Sequence, residues 1–402
     1  MFLNRCETNF AENHYYRTNQ ILLSMLDLWP NRRSKFAKIN YVFHFVIMLS
    51  FIIVQLTSFL TLQVTLNSFI IILSYAVPSL FVIVQYCAFY ANPNEVKQMW
   101  KNIRDSWSLL KNETERDIMR KYASTGELHT ILLTLSVFVS VILYAFLELM
   151  PIILDIIFPL NETRPRKIHA LTEYFIDERT YFYAILCHWF ICISFGFFVL
   201  MATGTLEFVY FQHICGLLKI ASYRIEHSLN KYILCNFTPK EDHTVIQNIS
   251  AAANIHLKAI ECSEFVRISF MPLFFLMAII FVSSISLNLF RLFQAISLLQ
   301  SIEELITSIA FVCILFVFLF VANYLGQNVT DHNSEIFDKT YNVRWYMVPV
   351  KIQKLLLFIM QNTTKLYILN VGNLIAASME DFTKLTSLSV SYFTVMYSLL
   401  KL

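Results

Sequence analysis

Charge is what this sequence lacks most. Of its 402 residues only 15% are Asp, Glu, Lys or Arg, against about 25% in soluble chains. At roughly 150 residues per domain the length would suit two or three soluble domains. A chain this poor in charge has too little polar surface to cover them. Glycine and proline are also scarce, at 6 and 9, which excludes collagenous and low-complexity disordered chains. The six glycines form no GxGxxG and no phosphate-binding loop. The eight cysteines show no CxxC spacing and lie mostly in or beside apolar runs, where they read as small buried hydrophobes. There is no HExxH, no GxSxG and no metal-ligand cluster, so no enzyme activity, metal or cofactor is expected. A net charge of +3 without a basic block argues against a nucleic-acid partner. A signal-like apolar stretch is missing from the first 38 residues, which instead carry Arg5, Arg17, Arg32, Arg33, Lys35 and Lys38. That arm is expected to stay in the cytosol.

What the chain has in excess is apolar and aromatic side chains. Hydrophobic residues make up 57%, and Phe, Tyr and Trp number 37, 20 and 5. Residues 41–91 carry no charge, and in 131–154 Glu148 is the one charge. A membrane helix needs about 20 apolar residues, and seven stretches qualify: 39–61, 67–91, 129–158, 181–215, 265–292, 301–325 and 382–401. The expected fold is an all-α membrane protein with seven transmembrane helices. The fourth span continues as an amphipathic helix past Arg224 and Glu226, and the fifth starts near His243. Such extensions can pack into an intracellular bundle. Between 326 and 381 the pattern turns amphipathic. A helix at 349–362, with Pro349 in its first turn, would bury Val350, Leu355, Leu356, Ile359 and Met360 and expose Lys351, Lys354 and Gln361. The domain reading is therefore a cytoplasmic arm (1–38), six spans with a ligand pocket (39–325), a cytoplasmic anchor (326–381) and a last span (382–402).

Orientation follows from the basic residues. With the amino end inside, 24 of the 31 Lys and Arg fall on the inner side and five, Arg291 among them, on the outer. An odd helix count then puts the carboxyl end outside. Asn161 heads a sequon in the largest outer loop and is the candidate glycosylation site. Asn112, Asn236, Asn248, Asn328 and Asn362 head sequons on the inner side.

Few polar residues lie within the spans. His44 reads as an interhelical contact, and His188 as either that or a pocket donor. Glu148 is either solvated in an outer vestibule or a ligand contact, and Glu207 should face the inner bundle beside a basic residue. The last span has the most distinctive face: Leu388, Ser391, Val395, Ser398 and Leu402 recur at helical spacing, flanked by Thr394 and Leu399. Small polar residues interrupted by aliphatic ones suit a wet path with a hydrophobic constriction. The same hydroxyls could instead bond their own helix or neighbouring helices.

With these residues in view, the whole chain resembles the insect odorant receptors. The carriers are Trp345 and Pro349, Asp381-Phe382-Thr383-Lys384, Ser391-Tyr392-Phe393-Thr394-Val395-Met396, and residues 211–218 at the end of span four. Gustatory receptors share the fold but typically close on a Gln-Phe pair that this chain lacks, and the odorant co-receptor has a longer loop between spans four and five. The resemblance implies a ligand-specific tuning subunit in the plasma membrane of olfactory neurons. Such a subunit forms a heterotetramer with the co-receptor and gates a non-selective cation pore. The last helix would line that pore, with Leu388, Ser391, Val395, Ser398 and Leu399 as pore or gate residues. Val395 matches the family's hydrophobic gate, and Ser398 stands where the co-receptor has a pore-facing Gln. Volatile ligands are small and apolar, so their site should be closed and aromatic. By depth among the outer halves of spans two to six, the candidates are Ile72, Tyr75, Ser140, Tyr144, His188, Trp189, Phe281 and Ser284. A G-protein-coupled receptor is the other seven-helix reading; the inner amino end and the absence of DRY-like and NPxxY motifs weigh against it. A transporter would more often show a twofold hydropathy symmetry that is not found.

Overall fold

The computed structural model describes residues 14–30, 36–62, 65–110, 112–158, 171–234, 239–297, 302–364, 370–371 and 375–401. Asn161 lies outside them. The helices are α1 (Arg17–Met25), α2 (Ala37–Leu56), α3 (Leu66–Ala91), α4 (Pro93–Ser108), α5 (Glu113–Ile157), α6 (Phe182–Leu234), α7 (Pro239–Ser297), α8 (Ile302–Asn342), α9 (Val350–Thr363) and α10 (Met379–Lys401). A single helical turn (Ser58–Thr61) follows α2, and a two-residue antiparallel pairing joins Asn370–Val371 to Ile375–Ala376 before α10.

Among the described residues six helices are long and apolar enough to cross a membrane: α2, α3, α5, α6, α7 and α8. The protein is thus a multi-pass membrane protein. The last helix, α10, has 23 residues, enough to span, but opens on Glu380 and Asp381. Negative charge there suits the amino end of a helix dipole, and the Ser378 hydroxyl accepts from the Asp381 amide.

The long helices run past the expected spans. α5 begins at Glu113 rather than 129, and α8 continues unbroken to Asn342 rather than ending at 325. Both extensions, with those of α6 and α7, form a bundle at the end of the molecule richest in basic residues (hereafter the basic end). Its core is made by α6 residues such as Ile214, Leu217, Leu218, Ile220, Ala221 and Ile225, all buried. Outside the membrane, burying such a side chain contributes about 1.5–3 kcal/mol. Within the membrane, lipid is as apolar as leucine, so packing and interhelical hydrogen bonds must hold the helices instead.

Polar ties fix the basic end. Arg224 on α6 grips both carboxylate oxygens of Glu115 on α5 at 2.8 Å, and donates to the carbonyls of Ala251 on α7 and Leu109 after α4. Such forked pairing is both directional and strong. His256 on α7 bonds Asn333 on α8 (2.8 Å), whose amide donates to the Thr363 carbonyl at the end of α9 (3.0 Å). An orphan carbonyl at a helix end is thereby satisfied.

α9 occupies the expected place, but its buried face differs. Ile352, Leu356 and Ile359 are buried, while Val350 is exposed. Val350 is the first helical residue, still turned outward beside exposed Trp345 and Tyr346.

Candidate functional site: an apolar cavity beside the last helix

At the end opposite the basic bundle the helices enclose a cavity of about 340 Å³. Six elements wall it: α2 with Met48 and Phe51, α3 from Tyr75 to Val82, α5 with Ser140, Leu143 and Tyr144, α6 from Trp189 to Leu200, α7 with Ile280, Phe281 and Ser284, and α8 from Ile306 to Phe318. Of the sequence-named pocket residues, the structure brings together Tyr75, Ser140, Tyr144, Trp189, Phe281 and Ser284 on this wall. Ile72 is buried but is not among the lining residues. His188 is not either; its ring bonds Tyr174 (2.8 Å) and Ser50 (3.0 Å), with the Cys192 thiol at 3.4 Å. It therefore acts as an interhelical tie, as does His44, which bonds Tyr86 at 3.1 Å.

Rings dominate the wall. Trp189 meets Phe51 and Tyr75 edge to face at centroid distances of 4.7 and 6.1 Å, and Phe81 meets Phe281 at 4.6 Å. This is a favoured aromatic geometry. Phe51 and Met48 come from the first span and were not anticipated. Phe311 and Phe318 on α8 were also missed, since aromatic residues at helical spacing look the same whether they face a void or a neighbour.

Proline gives a local reason for the α3 wall. Pro78 has no N–H to offer the Ser74 carbonyl one turn earlier. The side-chain amide of Asn288 on α7 donates to that carbonyl at 3.1 Å, and Asn288 is fully buried. A neighbouring helix thus supplies the bond that proline removes, as a membrane interior requires.

Above the cavity lies a buried charge cluster. Arg291, counted on the outer side in the sequence, is 1% exposed. It pairs with Glu304 on α8 at 2.7 Å and stacks 4.2 Å above the Tyr75 ring. The guanidinium is neutralised by Glu304 on one side and rests on a π face on the other, while its Nη1 has no hydrogen-bond partner among the described residues. Glu148 is 3% exposed, so it is not solvated; its carboxyl bonds Tyr144, a wall residue. Glu207 finds the Gln85 amide at 3.4 Å instead of a basic partner.

The cavity touches α10 through shared side chains. Phe281, Ile280 and Leu315 belong both to its wall and to a hydrophobic cluster containing Leu385, with Phe382 packed against it. Farther along, Phe393, Met396 and Tyr397 pack on Ile70, Leu287 and Phe290, and the Ser286 hydroxyl lies 2.9 Å from the Ser389 carbonyl. The opposite side of α10 is open. Leu388, Ser391, Val395, Ser398 and Leu399 are all exposed, Val395 by 53%. Their hydroxyls follow the alternative in which they bond their own helix. Ser391, Thr394 and Ser398 each donate to a carbonyl of their own helix, yet their oxygens remain on the uncovered face. Leu402 lies outside the described residues.

No curated protein matches the sequence. Among solved structures, the chain is similar to the insect olfactory receptor OR5 from Machilis hrabei in complex with eugenol. The TM-score is 0.76 at 13% identity, covering 98% of this chain and 100% of that one. A second structure of OR5 from Machilis hrabei gives a TM-score of 0.73 at 14% identity, covering 97% of this chain and 99% of that one. These likenesses show the fold. A family model described as 7tm odorant receptor matches residues 65–390, most of the sequence, and the chain belongs to that odorant receptor family.

Proposed function

We propose that the chain is the odorant-binding tuning subunit of a heteromeric, ligand-gated, non-selective cation channel in the plasma membrane, assembled with an odorant co-receptor as a heterotetramer. The amino end is cytoplasmic and the carboxyl end extracellular, in keeping with the crowding of Lys and Arg at the basic end. One observation carries the reading: residues that wall an apolar cavity also pack against α10, whose other face is left uncovered with alternating hydroxyl and aliphatic groups. Such a face is suited to water and ions once subunits surround it. Exposed Tyr346, Val350, Leu357 and Phe358 at the basic end supply apolar surface for subunit contact.

In this mechanism a small volatile ligand fills the cavity and binds the open arrangement more tightly than the closed one. It repacks Phe281 and Leu315 against Leu385, and α10 turns so that Val395 leaves the pore axis. Recording from cells that express this chain with a co-receptor, across an odorant panel, tests the proposal. Odorant-evoked cation current that requires both subunits supports it. An external amino-terminal tag on intact cells, or responses that depend on G-protein signalling with no co-receptor needed, sinks it.

Two substitutions separate pore from pocket. Val395→Lys is expected to change conductance or leak while surface assembly persists, read by patch clamp beside surface labelling. Trp189→Ala and Tyr144→Ala are expected to move the half-maximal ligand concentration more than the maximal current. Unchanged dose–response curves in both would refute the pocket assignment.

A further inference from the structure

We infer that the cavity selects neutral ligands carrying one hydrogen-bond-accepting oxygen on an apolar body, such as a ketone, aldehyde or ester, and that the Ser284 hydroxyl is the donor that recognises it. This rests on the proposed reading of the cavity as the ligand site and names the chemistry of its occupant.

Charge is settled first. None of the lining residues is Asp, Glu, Lys, Arg or His. Arg291, whose guanidinium lies over the wall residue Tyr75, is paired with Glu304. A carboxylate or ammonium ligand would lose its hydration and find no opposite charge on the wall. Shape comes next: rings from Phe51, Phe81, Trp189, Phe281 and Phe311 demand an apolar body.

The hydroxyls then decide what else the ligand carries. Ser79 donates to the Tyr75 carbonyl (2.8 Å), Ser140 to the Ser136 carbonyl (2.8 Å) and Thr307 to the Glu304 carbonyl (3.0 Å). Each has spent its proton on its own helix. Tyr144 is engaged with Glu148. Two lining donors differ: the Ser284 hydroxyl and the Trp189 indole N–H are each on a residue 1% exposed and have no hydrogen-bond partner among the described residues, and of the two only Ser284 stands on α7, the helix packed against α10. A buried hydroxyl without a partner is costly, and a ligand oxygen that accepts its proton removes that cost. A hydrocarbon of the same shape leaves it in place. Discrimination by an unfilled donor is how a mostly apolar site tells isosteres apart. The serine sits on α7 one residue before Ile285, which packs in the cluster containing Leu385 of α10. The recognition bond therefore falls on the helix that touches the last span.

Matched pairs in which a carbonyl oxygen is replaced by a methylene test this directly: acetophenone against α-methylstyrene, and 2-heptanone against 2-methyl-1-heptene. Two readouts are taken: current from the chain co-expressed with a co-receptor, and ligand-induced thermal stabilisation of the purified full chain in detergent. In at least one pair the ketone is expected to act at a concentration about five- to tenfold lower than its hydrocarbon twin, the worth of one hydrogen bond. Ser284→Ala should collapse that ratio to near one, while Ser284→Thr, which keeps the hydroxyl, retains it. Equal potency within every pair, a ratio that survives Ser284→Ala, or no ketone binding by either readout overturns the inference. Ketone-selective stabilisation without current upholds it and counts against the channel reading; current without ketone preference does the reverse.

Discussion

Replacing Gly326 with alanine is expected to abolish most of the agonist-evoked current. Gly326 lies on α8, and a Cβ built there overlaps the carbonyl and side chain of Ala377, in the turn just before α10. The neighbouring Gln327 side chain accepts from the Met379 amide at 3.2 Å, so this stretch of α8 seats the entrance to the last helix. Overpacking ordinarily costs about 1–3 kcal/mol, and here backbone has to move because no flexible side-chain tip stands in the way. The displaced element is α10 itself, so both folding and gating should suffer. Gly204 on α6 is the control. An added methyl there meets nothing within 4 Å, and an alanine in mid-helix should be neutral or stabilising by about 0.5–1 kcal/mol. Surface biotinylation and whole-cell recording of both variants check the contrast. Normal current from Gly326→Ala would show that α8 and the approach to α10 are not in contact as described.

The second large effect is expected at the basic end. Arg224→Met takes from the buried Glu115 carboxylate the guanidinium that grips both its oxygens and releases two backbone carbonyls that the guanidinium had satisfied. Removing one partner of a buried pair costs about 3–5 kcal/mol. That is a large share of the 5–15 kcal/mol by which domains are usually stable. The melting temperature of the full chain in detergent should fall markedly. The double variant Arg224→Met with Glu115→Leu should recover part of the loss, since no lone charge remains. If the double variant is no more stable than the single one, the damage comes from lost shape rather than from an unpaired carboxylate.

Apolar runs carry their own boundaries, which is why the first spans were readable from composition. The extensions of α6 and α7 were readable too, while those of α5 and α8 were not. At 113–128 and 326–342 the helices go on while the hydropathy falls, because the bundle they join buries one stripe and exposes the rest. A pattern keyed to lipid stops where lipid stops. The pairing of Arg291 was hidden for a related reason: its partner Glu304 stands 13 positions on, brought close only when α7 and α8 fold back on each other. The open face of α10 was legible because it is periodic in a single helix. The cavity was legible in part: depth along a span places Tyr75, Trp189 and Phe281, while rotation about the helix axis decides whether a ring faces a void, and that angle is set by neighbours such as Phe51.

The exchange between Pro78 and Asn288 ties together two positions far apart in the chain. Were the proline ever lost, the restored amide would reclaim the Ser74 carbonyl and make the visiting asparagine redundant at that point. Were the asparagine lost first, the carbonyl would be stranded in hydrocarbon. The order of change is therefore constrained, and relatives of this receptor should not carry the proline without the asparagine, a heritable signature of one bond lent across two helices.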